Sequence, residues 1–323
     1  MKRIYMVLSV CLLFLCAGIG QACDLCGCFV PKDAMRKGFQ AGVAEQFSSL
    51  SQLSLDGEQL ANPENQYLNS SFTQLFVSYH FNERAALQLN VPLIYRSFQR
   101  LEAEGVQRGN ESGIGDVLLL GYYIPFQRKT PFRQFSWKLL AGIKIPTGDS
   151  SRIAEELLEG HDEAIDTSHA EEVPSGVHGH DIALGSGSWD AVIGTDVFGR
   201  EKKWFYSGHV QYALRTRGDF NYRYANDLLW YGGPGYYLST KDNWSLGLQA
   251  LVTGEYKGED QLGNEKTDDT AITAVYMGPT ALIGIKQLAT AEVGIGFPLS
   301  VENSGLQTVP KYRLRIGITW QFR

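Results

Sequence analysis

The sequence predicts an all-β protein, a transmembrane antiparallel up-and-down β-barrel of about 12 strands. Three observations predict this fold. Segments of roughly ten residues alternate apolar and polar side chains, long and short connections alternate along the chain, and all six tryptophans fall near predicted strand ends. Composition agrees, because 44% hydrophobic and 12% aromatic residues exclude a disordered chain. The mean hydropathy of -0.18 excludes a polytopic helical membrane protein.

The first 22 residues have the pattern of a secretory signal. Lys2 and Arg3 precede an apolar run over 7–17, and small residues over 20–22 supply a cleavage site. We therefore expect residues 1–22 to be a cleaved signal peptide that exports the chain towards the outer membrane of a Gram-negative bacterium. A retained anchor is the weaker alternative, since the apolar run is shorter than the ~20 residues that a span needs.

Residues 23–38 are predicted to form a periplasmic segment that contains three cysteines, Cys23, Cys26 and Cys28. Thiols this close in sequence can close only one strained disulfide, so they are not a disulfide framework. Thiolates favour soft or borderline ions such as Cu or Zn, which makes the three cysteines candidate metal ligands. A redox dithiol, a lipid anchor on Cys23 and an incidental N-terminal cap remain as alternatives.

Residues 39–323 are predicted to form the barrel. The clearest alternation is in the last strand, where apolar residues at even positions from Tyr312 to Phe322 alternate with polar or small ones. Each predicted strand is close to the ~9 to 11 residues of a tilted membrane-crossing strand. The predicted strands cover 39–49, 70–80, 85–97, 115–125, 135–146, 188–198, 204–215, 227–238, 244–256, 271–285, 289–298 and 312–322.

The connections and the tryptophans distinguish a membrane barrel from a soluble β-protein. Long connections at one end and tight turns at the other indicate extracellular loops, periplasmic turns and periplasmic termini. Tryptophans near both ends of the predicted strands are typical of interfacial girdles. They are Trp137, Trp204, Trp244 and Trp320 at the short-turn end, and Trp189 and Trp230 at the long-loop end. A soluble β-sandwich is the alternative, because segments such as 117–123 are apolar on both faces.

The parity of each predicted strand gives a set of polar side chains that face the lumen. A charge facing lipid costs about 2 to 4 kcal/mol at the bilayer midplane, which enforces this parity. Glu45 is an apparent exception on the outward face. Mixed charges predict a lumen braced by ion pairs or a narrow polar pathway. The predicted lumen-lining residues are Gln88, Asn90, Arg96, Asp116, Lys138, Lys144, Asp190, Asp196, His209, Gln211, Arg215, Gln249, Glu255, Glu292, Arg313 and Arg315.

The connection over 147–187 is predicted to be a long extracellular loop. It holds ten acidic residues against the single base Arg152, together with four of the six histidines. Imidazoles beside carboxylates suit Zn, Ni or Cu, so the loop is a candidate for metal capture at the surface. The candidate ligands are His161, His169, His178, His180 and Asp181. The alternative is a solvated acidic loop that divalent cations bridge to lipopolysaccharide.

The sequence does not predict an enzyme or a nucleic-acid-binding protein. Ser207 and His209 share one strand face, but two residues on a strand do not define a hydrolase, and the chain has no G-x-S-x-G, P-loop, H-E-x-x-H or dinucleotide motif. The net charge of -6 disfavours a nucleic-acid partner.

Three short motifs carry a resemblance to a known family. They are Gly113-Ile114-Gly115-Asp116, Ile145-Pro146-Thr147-Gly148 and Gly185-Ser186-Gly187-Ser188-Trp189-Asp190. With them, the chain from about residue 39 to 322 resembles the transporter-like outer-membrane barrel family labelled "MetA-pathway of phenol degradation". The resemblance implies passage of small compounds, aromatic ones included, across the outer membrane. The three cysteines and the histidine-containing loop are not part of that family's pattern.

The predicted function is a passive channel or transporter component for a small solute. The alternative is a metal-binding or structural surface protein whose filled barrel is an anchor. Expected partners are outer-membrane lipid, lipopolysaccharide, the small solute and the barrel-assembly machinery. The C-terminal sequence over 320–323 resembles the aromatic-ended signal that this machinery reads, although Arg323 stands after the usual final phenylalanine.

Overall fold

A computed structural model of the chain describes residues 37–102, 105–157, 175–241, 243–285 and 288–322. The predicted signal peptide, the three cysteines, His161 and His169 lie outside the described residues. The signal peptide, the periplasmic segment and these metal ligands therefore stay predictions.

The described residues form a closed antiparallel barrel of twelve strands. In chain order the strands are β1 (Gly38–Leu55), β2 (Glu58–Leu60), β3 (Tyr67–His80), β4 (Ala85–Glu102), β5 (Gly105–Ile114), β6 (Val117–Lys129), β7 (Arg133–Ile145), β8 (Asp190–Glu201), β9 (Trp204–Leu214), β10 (Tyr222–Arg223), β11 (Asp227–Thr240), β12 (Trp244–Lys257), β13 (Gln261–Leu262), β14 (Glu265–Lys266), β15 (Ile272–Ile285), β16 (Ala289–Asn303) and β17 (Leu306–Gln321).

The barrel wall consists of β1, β3, β4, β6, β7, β8, β9, β11, β12, β15, β16 and β17, each paired with its neighbours. The wall closes where β1 pairs antiparallel with β17, from Gln40 opposite Gln321 to Leu55 opposite Leu306. Closure leaves no free edge in the wall, which excludes the predicted alternative of a two-sheet sandwich.

The remaining elements lie at the long-loop end of the barrel. Strands β2 and β5 extend the wall as hairpins on β1 and β4, and β10, β13 and β14 form a small sheet of their own. In the part of the chain that the structure describes, the helical elements include two 3-10 turns, Ser151–Glu155 and Asp219–Asn221, and the one-turn helix α1 (Gly179–Ile182). Among the described residues, no helix is long and apolar enough to cross a membrane.

The prediction of twelve strands is confirmed, but the strands run further at the long-loop end than the alternation indicates. The predicted long connection between the last two strands is wrong, because β16 and β17 meet in a tight turn at Ser304 and Gly305. Gly305 adopts a φ of 60° there, and its N–H donates to Asp56 on the neighbouring turn. Strand β5 lies in a stretch that the sequence predicts to be a loop. This strand consists mainly of polar residues and glycine, so period 2 does not mark it.

The outward face of the wall is an apolar belt. Large exposed side chains on it include Leu75, Val77, Leu87, Leu89, Leu93, Leu119, Leu139, Ile143, Ile193, Val210, Leu248, Ile283, Val293, Leu314 and Ile316. Five of the six tryptophans are also exposed, namely Trp137, Trp189, Trp204, Trp244 and Trp320. A continuous apolar surface with aromatic residues towards its edges is what contact with lipid requires.

Glu45 does face outward, and it has polar partners there. Its carboxylate accepts hydrogen bonds from Ser71 Oγ at 2.6 Å and from Thr73 Oγ1, both on the neighbouring strand β3. These hydroxyls satisfy the acid locally and reduce the cost of placing it in the apolar belt.

A basic residue in the middle of this belt should destabilise the barrel. Leu89 faces outward between Val77 on β3 and Leu119 on β6. We expect Leu89→Arg to lower the free energy of unfolding by about 2 to 4 kcal/mol, because the charge must enter hydrocarbon. Reversible guanidinium unfolding in phospholipid vesicles measures this change. The matched control, Leu60→Arg on the exposed hairpin strand β2, should cost much less, and equal effects would show that the belt does not contact lipid.

Candidate functional site

The interior of the barrel contains the polar side chains that the strand parity selects. Those whose residues are at most 9% exposed are Gln88, Asn90, Arg96, Asp116, Lys138, Lys144, Asp190, His209, Gln211, Arg215, Gln249 and Glu255. Asp196, Glu292, Arg313 and Arg315 are half-buried. That these side chains line a pathway for a solute stays a prediction.

A buried ion-pair network lies along one side of the interior, from β6 to β11, at the long-loop end. Lys144 Nζ lies 2.5 Å from Asp116 and 2.8 Å from Asp190. Arg215 extends the network from Asp190, at 3.0 Å, to Asp227, at 2.6 Å. We call these five residues the rim network. Their side chains are almost inaccessible to solvent, so the charges depend on one another rather than on water.

Asp116 in this network joins the three glycine-rich motifs. Its carboxylate accepts the N–H of Gly148 at 3.0 Å, and the N–H and hydroxyl of Ser186 at 3.0 and 2.8 Å. A side chain at Gly185 would lie 2.5 Å from the backbone of Gly148, which explains a glycine there. The carbonyl of Asp149 also accepts the N–H of Gly185 at 2.9 Å. Both ends of the connection over 147–187 are therefore fixed side by side at the rim.

The C-terminal part of the connection over 147–187 folds into the mouth of the barrel. We call residues 175–187 the mouth segment. Arg96, which projects inward from β4, donates to the carbonyls of Asp181 and Ala183. Ile182 and Ala183 are fully buried. The prediction of a solvated or surface loop is therefore wrong for the mouth segment, because its backbone and its apolar side chains are bound by the wall.

The start of the mouth segment bonds to the opposite side of the wall. Gly176 N–H donates to Gln66 Oε1 at 2.8 Å, and its carbonyl accepts the N–H of Thr308 on β17 at 2.7 Å. Leu53 on β1 packs so closely that a side chain at Gly176 would lie 2.4 Å from it. The mouth segment thus spans from the β17–β1 wall to the rim network.

His178 and His180 stack within the mouth segment, with ring centroids 5.5 Å apart and planes 4° from parallel. Carboxylates surround both rings. His180 Nδ1 lies 2.9 Å from Glu156 Oε1, and His178 Nε2 lies 3.0 Å from Asp269 Oδ2. Asp181 lies between the rings, with its two oxygens 3.6 Å from His178 Nδ1 and 3.3 Å from His180 Nε2.

This environment changes the pKa values of the groups in it. Burial alone would lower the pKa of His180, but the charges of Asp181 and Glu156 raise it to about 9. Burial acts in the same direction on His178, whose pKa Asp181 and Asp269 hold well above its usual range. Burial would raise the pKa values of the Glu156, Asp181 and Asp269 carboxyls, but the imidazoles lower them. The surrounding carboxylates therefore favour a positive charge on the two rings.

A second polar cluster lies nearer the short-turn end of the interior. His209 Nδ1 is 2.9 Å from Asp196 Oδ1, and the His209 ring stacks on Tyr231 at 4.7 Å. Lys138 stands directly across from Asp196 on the paired strand. Ser207 Oγ accepts a hydrogen bond from Gln249 at 2.7 Å. The Ser207 hydroxyl and the His209 imidazole thus each have a partner other than one another.

One ion pair crosses part of the interior. Arg313 on β17 contacts Glu255 on β12 at 2.5 Å, although two wall strands lie between them. Tyr276, from one of those strands, donates to Glu255 at 3.2 Å and lies under the Arg313 guanidinium at 4.3 Å. This contact narrows the interior below the mouth.

Sequence reasoning missed several residues of the mouth. Glu156 lies in the predicted loop but was not recognised as a partner of a histidine, and Asp269 and Gln66 come from other connections. A single sequence contains no signal that these separate connections lie close to one another. The sequence features that mark the region are the three glycine-rich motifs and the acidic, histidine-containing connection over 147–187.

Removing Lys144 should strongly destabilise the barrel. Lys144→Met leaves the carboxylates of Asp116 and Asp190 buried without their shared cation, which should cost about 3 to 5 kcal/mol of unfolding free energy. The control is Arg133→Met, which breaks an exposed pair with Glu201 and should cost less than about 1 kcal/mol. Guanidinium unfolding in vesicles measures both. A loss at Lys144 no larger than that of the control would contradict the buried network.

The fold is similar to that of solved outer-membrane barrels. Over 91% of this chain and 100% of the other, it matches an outer membrane channel from Pseudomonas putida F1 with a TM-score of 0.63 and 17% identity. The β domain of the Bordetella autotransporter BrkA gives a TM-score of 0.45 at 10% identity, covering 88% of this chain and 100% of that one. At these identities the likeness shows the fold alone.

No protein-family model matches the sequence, and no curated protein matches it either. The barrel implied by the resemblance to the phenol-degradation family is confirmed, whereas membership of that family stays a prediction.

Proposed function

We propose that the protein is a passive channel or transporter component for a small solute in the outer membrane of a Gram-negative bacterium. The observation that carries this proposal is the opposite polarity of the two faces of one closed wall. The outward face is apolar, and the inward face carries charged and amide side chains near both ends of the barrel. A polar interior is what a solute pathway through the barrel requires.

The interior is filled unevenly, which suggests where the pathway runs. An apolar cluster fills the side formed by β4 and β6 to β9, with Leu118, Leu120, Leu140 and Val192 at most 6% exposed. On the side formed by β16, β17 and β1, the inward residues Gln46, Glu292 and Arg315 keep partial exposure. The passage that we propose follows this second side and is narrow.

The mixed lining favours a small solute that is itself part apolar and part polar. The wall opposite the passage carries the buried apolar side chains Leu120 and Tyr122, whereas Glu292 and Arg315 beside the passage offer charges of both signs. Compounds of the kind implied by the family resemblance, aromatic ones included, meet this description. The likeness to the Pseudomonas putida channel supports the same general function.

In this proposal the mouth segment is the main barrier at the long-loop end. Arg96, Gln66 and Thr308 hold it across the mouth, so a solute entering from that end must pass or displace it. Selection would then depend on this constriction and on the charges below it, without catalysis.

Removing the barrier should increase conductance. Leu184 N–H lies 3.0 Å from the Asp149 carbonyl, so a short Gly-Ser link can replace residues 151–183 without straining the rim. We expect the shortened protein to conduct several-fold more than the full chain in planar lipid bilayers, because the mouth is then open. Arg133→Gln, an exposed change at the opposite end, is the control and should conduct like the full chain.

Two outcomes would contradict the proposal. If neither the full chain nor the shortened protein conducts after correct insertion, the barrel is not a channel. If both conduct equally, the mouth segment is not the barrier. Heat-modifiable migration on gels verifies that each variant has folded.

A further inference from the structure

We propose that His178, His180 and Asp181 bind one borderline divalent transition-metal ion of the Zn²⁺ type within the mouth segment. One ligand atom of each residue lies within 4.8 Å of the other two. This site is distinct from the cysteines near the N-terminus, and it exists whether or not the barrel conducts.

The separations of the ligand atoms suit a single ion. Zn²⁺ binds imidazole nitrogen and carboxylate oxygen at about 2.0 to 2.2 Å, which places neighbouring ligands of one tetrahedral ion roughly 3 to 4 Å apart. The Asp181 oxygens are 3.6 Å from His178 Nδ1 and 3.3 Å from His180 Nε2. Small movements of the side chains would therefore complete the coordination.

On each ring, the nitrogen that points away from Asp181 already has the kind of partner that it would have in a metal site. In such sites a ligating imidazole donates its other N–H to a carboxylate, which fixes the ring and increases its basicity. His178 Nε2 faces Asp269 at 3.0 Å, and His180 Nδ1 faces Glu156 at 2.9 Å. Both histidines thus have a carboxylate on one nitrogen and turn the other nitrogen towards Asp181. This shared arrangement is more specific than a cluster of acids.

The nitrogen that His178 directs at the proposed ion, Nδ1, faces the Asp181 carboxylate at 3.6 Å. His178 Nδ1 is buried without a hydrogen-bond partner, and the side chain is 10% exposed. Its distance of 3.6 Å from Asp181 is longer than a hydrogen bond. A buried polar atom left unsatisfied costs free energy, and a bound cation would recover it.

The backbone around the ligands is rigid and the site is accessible. Asp181 Oδ2 accepts the N–H of His178 at 3.0 Å, which fixes the carboxylate relative to the first ring. Gly179 packs so closely that a side chain there would lie 2.4 Å from the Arg152 carbonyl. Asp181 and Asp269 are 25% and 31% exposed, whereas His180 is 3% exposed. An ion therefore enters past these two carboxylates and keeps a position open to water.

The donor atoms select the class of ion. Two imidazoles and one carboxylate favour Zn, Ni, Co or Cu(II) over Ca²⁺ and Mg²⁺, which prefer oxygen ligands. Cu(I) favours thiolates, which this site lacks. The bound ion would replace protons on the two rings. It would also connect the mouth segment, through its two histidines, to Glu156 and to Asp269, which lie in two other segments of the mouth.

Cobalt titration tests the site in the folded protein. The starting variant carries serine at Cys11, Cys16, Cys23, Cys26 and Cys28, which removes every thiolate ligand from the full chain. We expect it to bind one equivalent of Co²⁺ with the visible absorption of a low-coordinate site, and Zn²⁺ to displace the Co²⁺. In that background, His178→Gln with His180→Gln should abolish this signal.

Two further variants separate metal binding from folding. Asp269→Asn changes only the carboxylate behind His178 and should weaken Co²⁺ binding by about 10 to 100-fold. The control is His80→Gln, a buried histidine bonded to Ser78 and Gln40, which should leave the affinity unchanged. Absence of Co²⁺ binding in the starting variant would overturn the proposal. Binding that survives the double histidine change would also overturn it, since His161 or His169 would then supply the ligands.

Discussion

The buried carboxylate of Asp116 is the constraint on which the arrangement of the mouth depends. Its charge lies away from water, so it needs both a cation and hydrogen-bond donors. Lys144 supplies the cation, and Gly148 and Ser186 supply donors from the two ends of one long connection. Satisfying this one acid brings those ends together and directs residues 175–185 towards the interior.

The wall and the mouth are stabilised by different physics. Alternating side chains and closure between β1 and β17 determine the wall, and each of its strands has two paired neighbours. The mouth segment has one helical turn and depends on side chains such as Arg96 from the wall and Gln66 from the connection before β3. A barrel can therefore keep its wall while the contents of its mouth change, which is why we locate selectivity in the mouth.

The sequence was sufficient for the wall and insufficient for the mouth. Alternation located every wall strand because lipid and interior impose opposite polarities on neighbouring residues. Strand β5 consists mainly of polar residues and glycine, so alternation does not mark it, and the alternation of β16 and β17 does not indicate the tight turn at Gly305. The pairing of His178 with Asp269 joins loops that are distant in sequence, and no local pattern encodes it. The glycine-rich motifs were recognisable, but their convergence on Asp116 required the structure.

Hydrogen exchange of the mouth segment tests the central claim most directly, that this segment is folded into the barrel. Its amides bond to fixed acceptors, among them Gly176 to Gln66, His180 to Glu156 and Ser186 to Asp116. Peptides covering residues 175–187 of the protein in lipid bilayers should therefore exchange as slowly as the ends of the neighbouring strands. Exchange at the rate of an exposed loop would contradict the account, because the segment would then lie in solvent.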